Sequence, residues 1–266
     1  MPEGEPVAGV TSLGEEIYLL RDRARDQVEV YDVISYCLQC CLTVPNHRGF
    51  IDMTSCEHLL CLYISDHIAE CIHKLRLDLH GNAQQWPVND QPWGLSVNAH
   101  HNLIVTCRLV RKIKEFSPHG ELVRDVILPV DVIHPWHAIQ LTSGQFIVCH
   151  GGCHDPVHCV YKICSDGRHI FQSHGGQSGS DTGQYLWPWH LAVDDNEFVF
   201  VVDAVNRRVT LLSSTLEYVG QVVSRDHLNG RPTRVCLDVQ RCPLYVSDNN
   251  DDGSKLTAGR VAVFSV

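Results

Sequence analysis

PWHLAVDDNEFVFVVDAVNRRVTLLS, residues 188–213, holds three short apolar runs, PWHLAV, FVFVVD and RRVTLLS, parted by polar turns. The runs alternate or are β-branched and are bounded by Asp, Asn, Gly or Pro. Those are strand signals, not helix signals. A fourth run, LEYVGQVV (216–223), follows. The unit therefore predicts about four antiparallel strands. Its opening recurs upstream as QPWGLSV (91–97) and HPWHAIQL (134–141), with prolines at 92, 135 and 188. Arg231-Pro232-Thr233-Arg234-Val235 fits the same slot downstream. Gly49-Phe50-Ile51-Asp52-Met53 and Val7-Ala8-Gly9-Val10 occupy it earlier. That makes six starts, near residues 8, 50, 92, 135, 188 and 232.

Each start is followed by a second run and, after a turn, a third. CLYISD (61–66), NLIVTC (102–107), QFIVCH (145–150) and PLYVSD (243–248) are second runs; CIHKLRL (71–77), RKIKEFS (111–117) and RVAVFSV (260–266) are third runs. A lone four-stranded sheet of this kind exposes an apolar face, and six packed radially bury those faces against one another. The fold class expected is all-β, a six-bladed β-propeller of four-stranded antiparallel blades. A sandwich would not need Pro-Trp to recur at one slot. No linker divides the chain, so residues 1–266 read as one domain, with blades at about 8–48, 49–90, 91–133, 134–186, 187–230 and 231–266.

Composition narrows the function. The chain has 266 residues, 44% hydrophobic and 20% charged, an ordinary globular balance. With 21 Lys+Arg against 31 Asp+Glu the net charge is -10. Nucleic acid is therefore not an expected partner, since phosphate binding needs clustered positive charge. RNA binding would require Arg108, Arg111, Lys112 and Lys114 to form one basic face. No apolar run reaches transmembrane length. The acidic opening MPEGEPVAGVTSLGEE lacks the basic and apolar regions of a secretory signal. A cytoplasmic location is expected, with the 13 cysteines mainly reduced and serving as small core residues.

KIKEFSPHGELV (112–123) and VDAVNRRVTLLS (202–213), after PWHLAVDDNEFVFV (188–201), resemble NHL repeats. The unit at 187–223 matches that pattern best. YISD and YVSD carry the match in the second and sixth units. The resemblance implies an NHL-type propeller. Such propellers form the binding ends of tripartite-motif ubiquitin ligases. More distantly, they form the body of a peptide-amidating lyase that holds zinc through histidines near the channel. No RING or B-box pattern is present.

Asp66, Asp203 and Asp248 end second runs, where a carboxylate accepts backbone N–H groups from the next turn. Asn206 and Arg207 read as turn residues. His137 and His190 share one slot after Pro-Trp, where two imidazoles can converge on the channel. The third unit has Gly94 there, and the sixth Thr233 or Arg234. Zinc needs three or four ligands, so channel lining is expected and no metal or cofactor. Trp93, Trp136 and Trp189 recur at the neighbouring slot. With His137, His190 and Arg234 they form a candidate binding site at the channel mouth, since aromatics and Arg dominate interface hot spots.

Other constellations read as structural. Cys149-His150-Gly151-Gly152-Cys153-His154-Asp155-Pro156-Val157-His158-Cys159 has no zinc-finger spacing. Cys37-Leu38-Gln39-Cys40 is a lone pair on an outer strand, and Gly175-Gly176-Gln177-Ser178-Gly179 reads as an extended loop. The function expected is a non-enzymatic binding module for a protein or peptide, in a ubiquitin-ligase-type or scaffold protein. The alternative is a metal-dependent lyase or lactone or ester hydrolase, with His137 and His190 holding the metal. The sixth unit shows three strands, so its blade should be three-stranded or patched by a very short N-terminal segment. Removing residues 1–6 is expected to change thermal stability little.

Overall fold

The computed structural model describes residues 1–21, 27–78, 82–152, 154–251 and 255–266. Blade 1 is β1 (Val7–Leu13), β2 (Glu16–Arg21), β3 (Gln27–Asp32) and β4 (Leu38–Thr43). Blade 2 is β5 (Phe50–Cys56), β6 (Cys61–Asp66), β7 (Cys71–Arg76) and β8 (Asn82–Pro87). Blade 3 is β9 (Pro92–Val97), β10 (Leu103–Cys107), β11 (Lys112–Phe116) and β12 (Leu122–Ile127). Blade 4 is β13 (Pro135–Gln140), β14 (Phe146–His150), β15 (Val157–Ile163) and β16 (Ile170–Gln177). Blade 5 is β17 (Pro188–Val193), β18 (Val199–Asp203), β19 (Arg208–Leu212) and β20 (Tyr218–Val223). Blade 6 is β21 (Val235–Leu237), β22 (Pro243–Asp251) and β23 (Leu256–Ser265). Spatial order follows chain order in every sheet.

The buried apolar residues fall into six clusters, each drawn from two neighbouring blades. Tyr63 and Ile72 of blade 2 meet Leu95 and Phe116 of blade 3. Trp136 and Ile147 of blade 4 meet Leu191 and Val201 of blade 5. The seam between last and first blades has its own cluster, where Tyr245 and Val261 meet Val10 and Ile17. Six junctions for six sheets is a closed ring. Fully burying each such side chain is worth about 1.5–3 kcal/mol, so the packing between blades, not any single sheet, holds the fold.

Blade 6 has three strands. Gly4 bridges to Gly259 on its outer strand through two backbone hydrogen bonds, 2.9 and 2.8 Å. The Met1 ammonium donates to the Val261 carbonyl at 3.0 Å. This is the short N-terminal patch that the strand count implies.

Antiparallel alternation gives the ring two unlike faces. The entry face, where innermost strands begin, also carries the turns after second strands and the connections between blades. The exit face carries the remaining turns. One expectation needs correcting: Gly175 and Gly176 lie within β16, and the loop begins only at Ser178. Both glycines have positive φ, +105° and +154°, a backbone conformation that side chains rarely adopt.

Candidate functional site

Innermost strands carry a β-bulge just after their start. The register slips between Val7 and Gly9, Phe50 and Asp52, Pro135 and His137, and Pro188 and His190. A bulge leaves one residue unpaired and re-aims its neighbour. His190 pairs with Val202, one residue before Asp203, and Asp52 with Ser65, one before Asp66. In blade 6 the residue bonded to Ser247, one before Asp248, is Arg234, whose carbonyl accepts from the Ser247 amide at 3.0 Å. This resolves the sixth slot in favour of Arg234 over Thr233. The repeated position is therefore Gly9, Asp52, Gly94, His137, His190 and Arg234, a ring around the channel waist.

Asp52 is its hub, and it was not singled out from sequence. Arg234 Nε donates to its Oδ1 at 2.9 Å, and the Leu95 amide donates to its Oδ2 at 2.9 Å. His190 Nε2 lies 3.4 Å from Oδ2. The Arg234 guanidinium also donates to the carbonyls of Thr233 and Ile51. The His137 and His190 rings stand 3.9 Å apart, and His137 Nε2 donates to the Leu95 carbonyl at 2.9 Å. All four waist side chains are buried. Gly94 makes room for this: a Cβ there would lie 2.5 Å from the Trp136 carbonyl and 2.8 Å from the His137 ring.

The electrostatics follow from burial and from the one cation. Burial alone would raise the Asp52 carboxyl, but Arg234, His190 and His137 hold it well below the usual carboxylate range. Burial, then the neighbouring His190, push His137 down to about 3. Burial also lowers His190, against the upward pull of Asp52. At neutral pH the waist is thus one carboxylate, one guanidinium and two neutral imidazoles. An imidazole that titrates so low is a poor general base.

The resemblance drawn from sequence implies a zinc held by channel histidines. Ligand atoms of Asp52, His137 and His190 do lie within 4.8 Å of one another. They do not fit the ion. His137 Nδ1 and both ring nitrogens of His190 are buried without a hydrogen-bond partner, but Arg234 already supplies the positive charge that the carboxylate needs. A dication here would face a guanidinium in a buried site.

His137→Gln and His190→Gln should each shift stability by about 1 kcal/mol or less, read from denaturant unfolding, because an amide replaces one hydrogen bond. A pH series adds a sign. Folded His137 binds its proton only near pH 3, whereas the unfolded residue does so near 6.5. The unfolded chain then holds more protons, so wild-type stability falls as pH drops from 6.5 toward 3. His137→Gln should lose that part of the slope. A loss of several kcal/mol at neutral pH would contradict this account.

On the exit side the waist floors a cavity of about 360 Å³, with His137 and His190 beneath Thr11, Ser55, Ser96 and Cys236. On the entry side the tryptophans form an arc. Trp93 and Trp136 stand 5.3 Å apart, Trp136 and Trp189 4.9 Å, and Trp189 and Trp187 5.7 Å. Arg108 lies over Trp136 at 4.0 Å and over Trp93 at 5.0 Å, and Arg231 lies over Trp187 at 5.2 Å. The structure thus separates the candidate residues. Trp136 is buried in the apolar core, with Trp93 and Trp189 half-buried against it toward the entry side, whereas His137, His190 and Arg234 sit at the waist. Trp187 and Arg231 join the mouth without having been read from sequence.

The other constellations resolve one by one. Asp66 accepts the amides of Arg48, Gly49, Ile68 and Ala69, and Asp248 those of Asn229 and Gly230. Asp203 accepts from the Leu186 amide and from Asn206, and Arg207 lies in the following turn. Within 149–159, His158 bonds the Gly152 carbonyl and the Trp187 amide, and Asp155 bonds the Gly152 amide and His134. Cys153 lies outside the described residues. The described cysteines are free, six of them buried, with Cys37, Cys40, Cys41 and Cys242 exposed. Lys112 pairs with Asp125 and Lys114 with Asp90, while Arg108 is turned to the tryptophans. No helix among the described residues is long and apolar enough to cross a membrane.

No family model and no curated protein matches the chain. Solved structures do. Hydrazine synthase of Kuenenia stuttgartiensis aligns over 99% of this chain and 96% of its own, at 12% identity and a TM-score of 0.70. Virginiamycin B lyase from Staphylococcus aureus aligns over 100% of this chain and 88% of its own, at 9% identity and 0.66. A protein of unknown function from Bacteroides thetaiotaomicron aligns over 98% and 70%, at 13% identity and 0.72. At such identities the likeness speaks for fold alone: the chain is a six-bladed β-propeller.

Proposed function

We propose that this propeller is an NHL-like binding module that grips a protein or peptide segment at its tryptophan mouth. The observation that carries the reading is Arg108, a cation held between two tryptophan rings with its Nε buried and without a hydrogen-bond partner. Burial disfavours its charge, and Asp155 eases this only from a distance. An acidic side chain or a terminal carboxylate would offset that cost by pairing with the half-buried guanidinium. The rim of the same sector is apolar: Ile68, Leu109, Val110 and Val130 are 56, 59, 41 and 74% exposed. Aromatic and Arg anchors ringed by apolar side chains are the usual make-up of an interface hot spot.

A reducing, cytoplasmic setting suits the free thiols, and a larger ligase-type or scaffold protein suits a module of this kind. The metal-enzyme reading has less support, because Arg234 occupies the charge its metal would need. A random peptide library panned against the full chain tests the proposal. Selected peptides should carry Asp, Glu or a free carboxyl terminus, and Arg108→Gln or Trp93→Ala should weaken them at least about tenfold. His190→Gln should leave them unchanged. Peptides that bind equally well to both mouth variants would place recognition elsewhere.

A further inference from the structure

The second strands of blades 5 and 6 carry a carboxylate neutralised from the strand beside it. Asp203 pairs in register with Arg208, and Asp248 with Arg260. The arginine Nε lies 2.8 Å from Asp203 Oδ2 and 2.9 Å from Asp248 Oδ2. Blade 2 repeats the aspartate and not the arginine. Asp66 pairs in register with Cys71, and His73, two residues on, points to the same side of β7. Among the described residues no Lys or Arg side chain is ion-paired with Asp66. Its Oδ2 faces His73 Nε2 at 3.6 Å, and Cys71 Sγ lies 3.5 Å from that nitrogen.

We propose that a zinc ion takes the place of the missing arginine, held by Asp66, Cys71 and His73. The three ligand atoms lie within 4.8 Å of one another, and all three residues are buried. Zinc bonds of about 2.0–2.3 Å set about 3.3–3.6 Å between ligand atoms at tetrahedral angles, which matches the two spacings above. A thiolate, an imidazole and a carboxylate form a borderline-soft set that suits zinc over magnesium or calcium. Gln85 Nε2 donates to Cys71 Sγ at 3.1 Å, the kind of outer hydrogen bond that steadies a metal-bound thiolate. The waist trio is ion-paired with its own guanidinium; among the described residues this one is not, Arg48 acting on Cys71 without an ion pair, and that difference separates the two clusters.

The test uses the full chain with Cys37, Cys40, Cys41 and Cys242 changed to Ser, so that exposed thiols do not compete. After dialysis against chelator it is titrated with zinc alone, and separately with cobalt(II) alone. One equivalent should bind, and cobalt should show a sulfur-to-metal charge-transfer band that zinc abolishes. His73→Gln should weaken binding at least about a hundredfold and remove the band, and His190→Gln should do neither. Cys71→Arg, which gives blade 2 the pairing of blades 5 and 6, should bind no zinc and should melt near the zinc-loaded parent. Absence of the band, or a band that survives His73→Gln, overturns the assignment. So does loss of zinc in His190→Gln, which would move the metal to the waist.

Discussion

Arg234→Met should destabilise the protein by about 3–5 kcal/mol, a fall of about 6–20 °C in melting temperature for a domain of this size. The change removes the only guanidinium at the waist and leaves Asp52, 1% exposed, with the Leu95 amide and a neutral imidazole. Methionine fills similar space, so the loss measures the uncompensated charge more than a cavity. Asp52→Asn should rescue much of it: the double variant should be more stable than Arg234→Met alone, which independent effects would not allow. The pH dependence should change sign. In the wild type Asp52 titrates below its unfolded value of 3.8. Its contribution is therefore present above that value and lost as pH falls through the folded one. Without Arg234, burial raises the carboxyl, so the variant should gain stability on acidification from neutral pH. A variant within 1 kcal/mol of the parent, with an unchanged pH profile, would show that the pair is dispensable.

Much of the ring was legible in the sequence because repetition carries its own check. Pro-Trp at 92–93, 135–136 and 188–189 fixes the phase of three blades, and the apolar runs fix the rest. The waist was legible in principle and was read for only part of its length. Counting two residues past each strand start gives Gly9, Asp52, Gly94, His137, His190 and, through the Ser247 register, Arg234. The two histidines stand out as chemistry. Asp52 looks like an ordinary polar residue in Phe50-Ile51-Asp52 until its slot is aligned with Arg234, 182 positions away. No local pattern announces that pair, since only ring closure brings blades 2 and 6 across the same axis. Arg108 is similar. Its sequence neighbours suggest a basic stretch, yet Lys112 and Lys114 turn to aspartates while Arg108 turns to tryptophans contributed by strands on either side of it.

The seam between blades 1 and 6 lacks a chain connection, and Asn249→Ala should cost about 2–4 kcal/mol there. Asn249 acts as a short piece of strand. Its Oδ1 accepts the Val7 amide at 2.7 Å, and its Nδ2 donates to the Val7 carbonyl at 3.2 Å and to Thr233 Oγ1 at 2.8 Å. Gly259 leaves the space, since a Cβ there would clash with the Asn249 side chain. Alanine would strand a buried amide and most of a buried carbonyl, and each such group costs about 1–3 kcal/mol when unsatisfied. Residues 1–6 contribute differently. Their removal takes the Gly4 bridge, the Met1 contact and the Glu5 and Pro2 carbonyls that Arg21 bonds, while Arg21 keeps Glu29 and the Gly259 carbonyl. Val7 would become the terminus with its ammonium still facing Asn249, so about 1–2 kcal/mol is expected for the deletion. Hydrogen exchange separates the two. Asn249→Ala should speed exchange of blade 1 and blade 6 amides well above those of blades 3 and 4, because the seam is where the ring would open. The deletion should speed exchange only at the outer edge of β23. The reverse ranking, with a costly deletion and a harmless Asn249→Ala, would mean that the N-terminal segment and not the asparagine closes the ring.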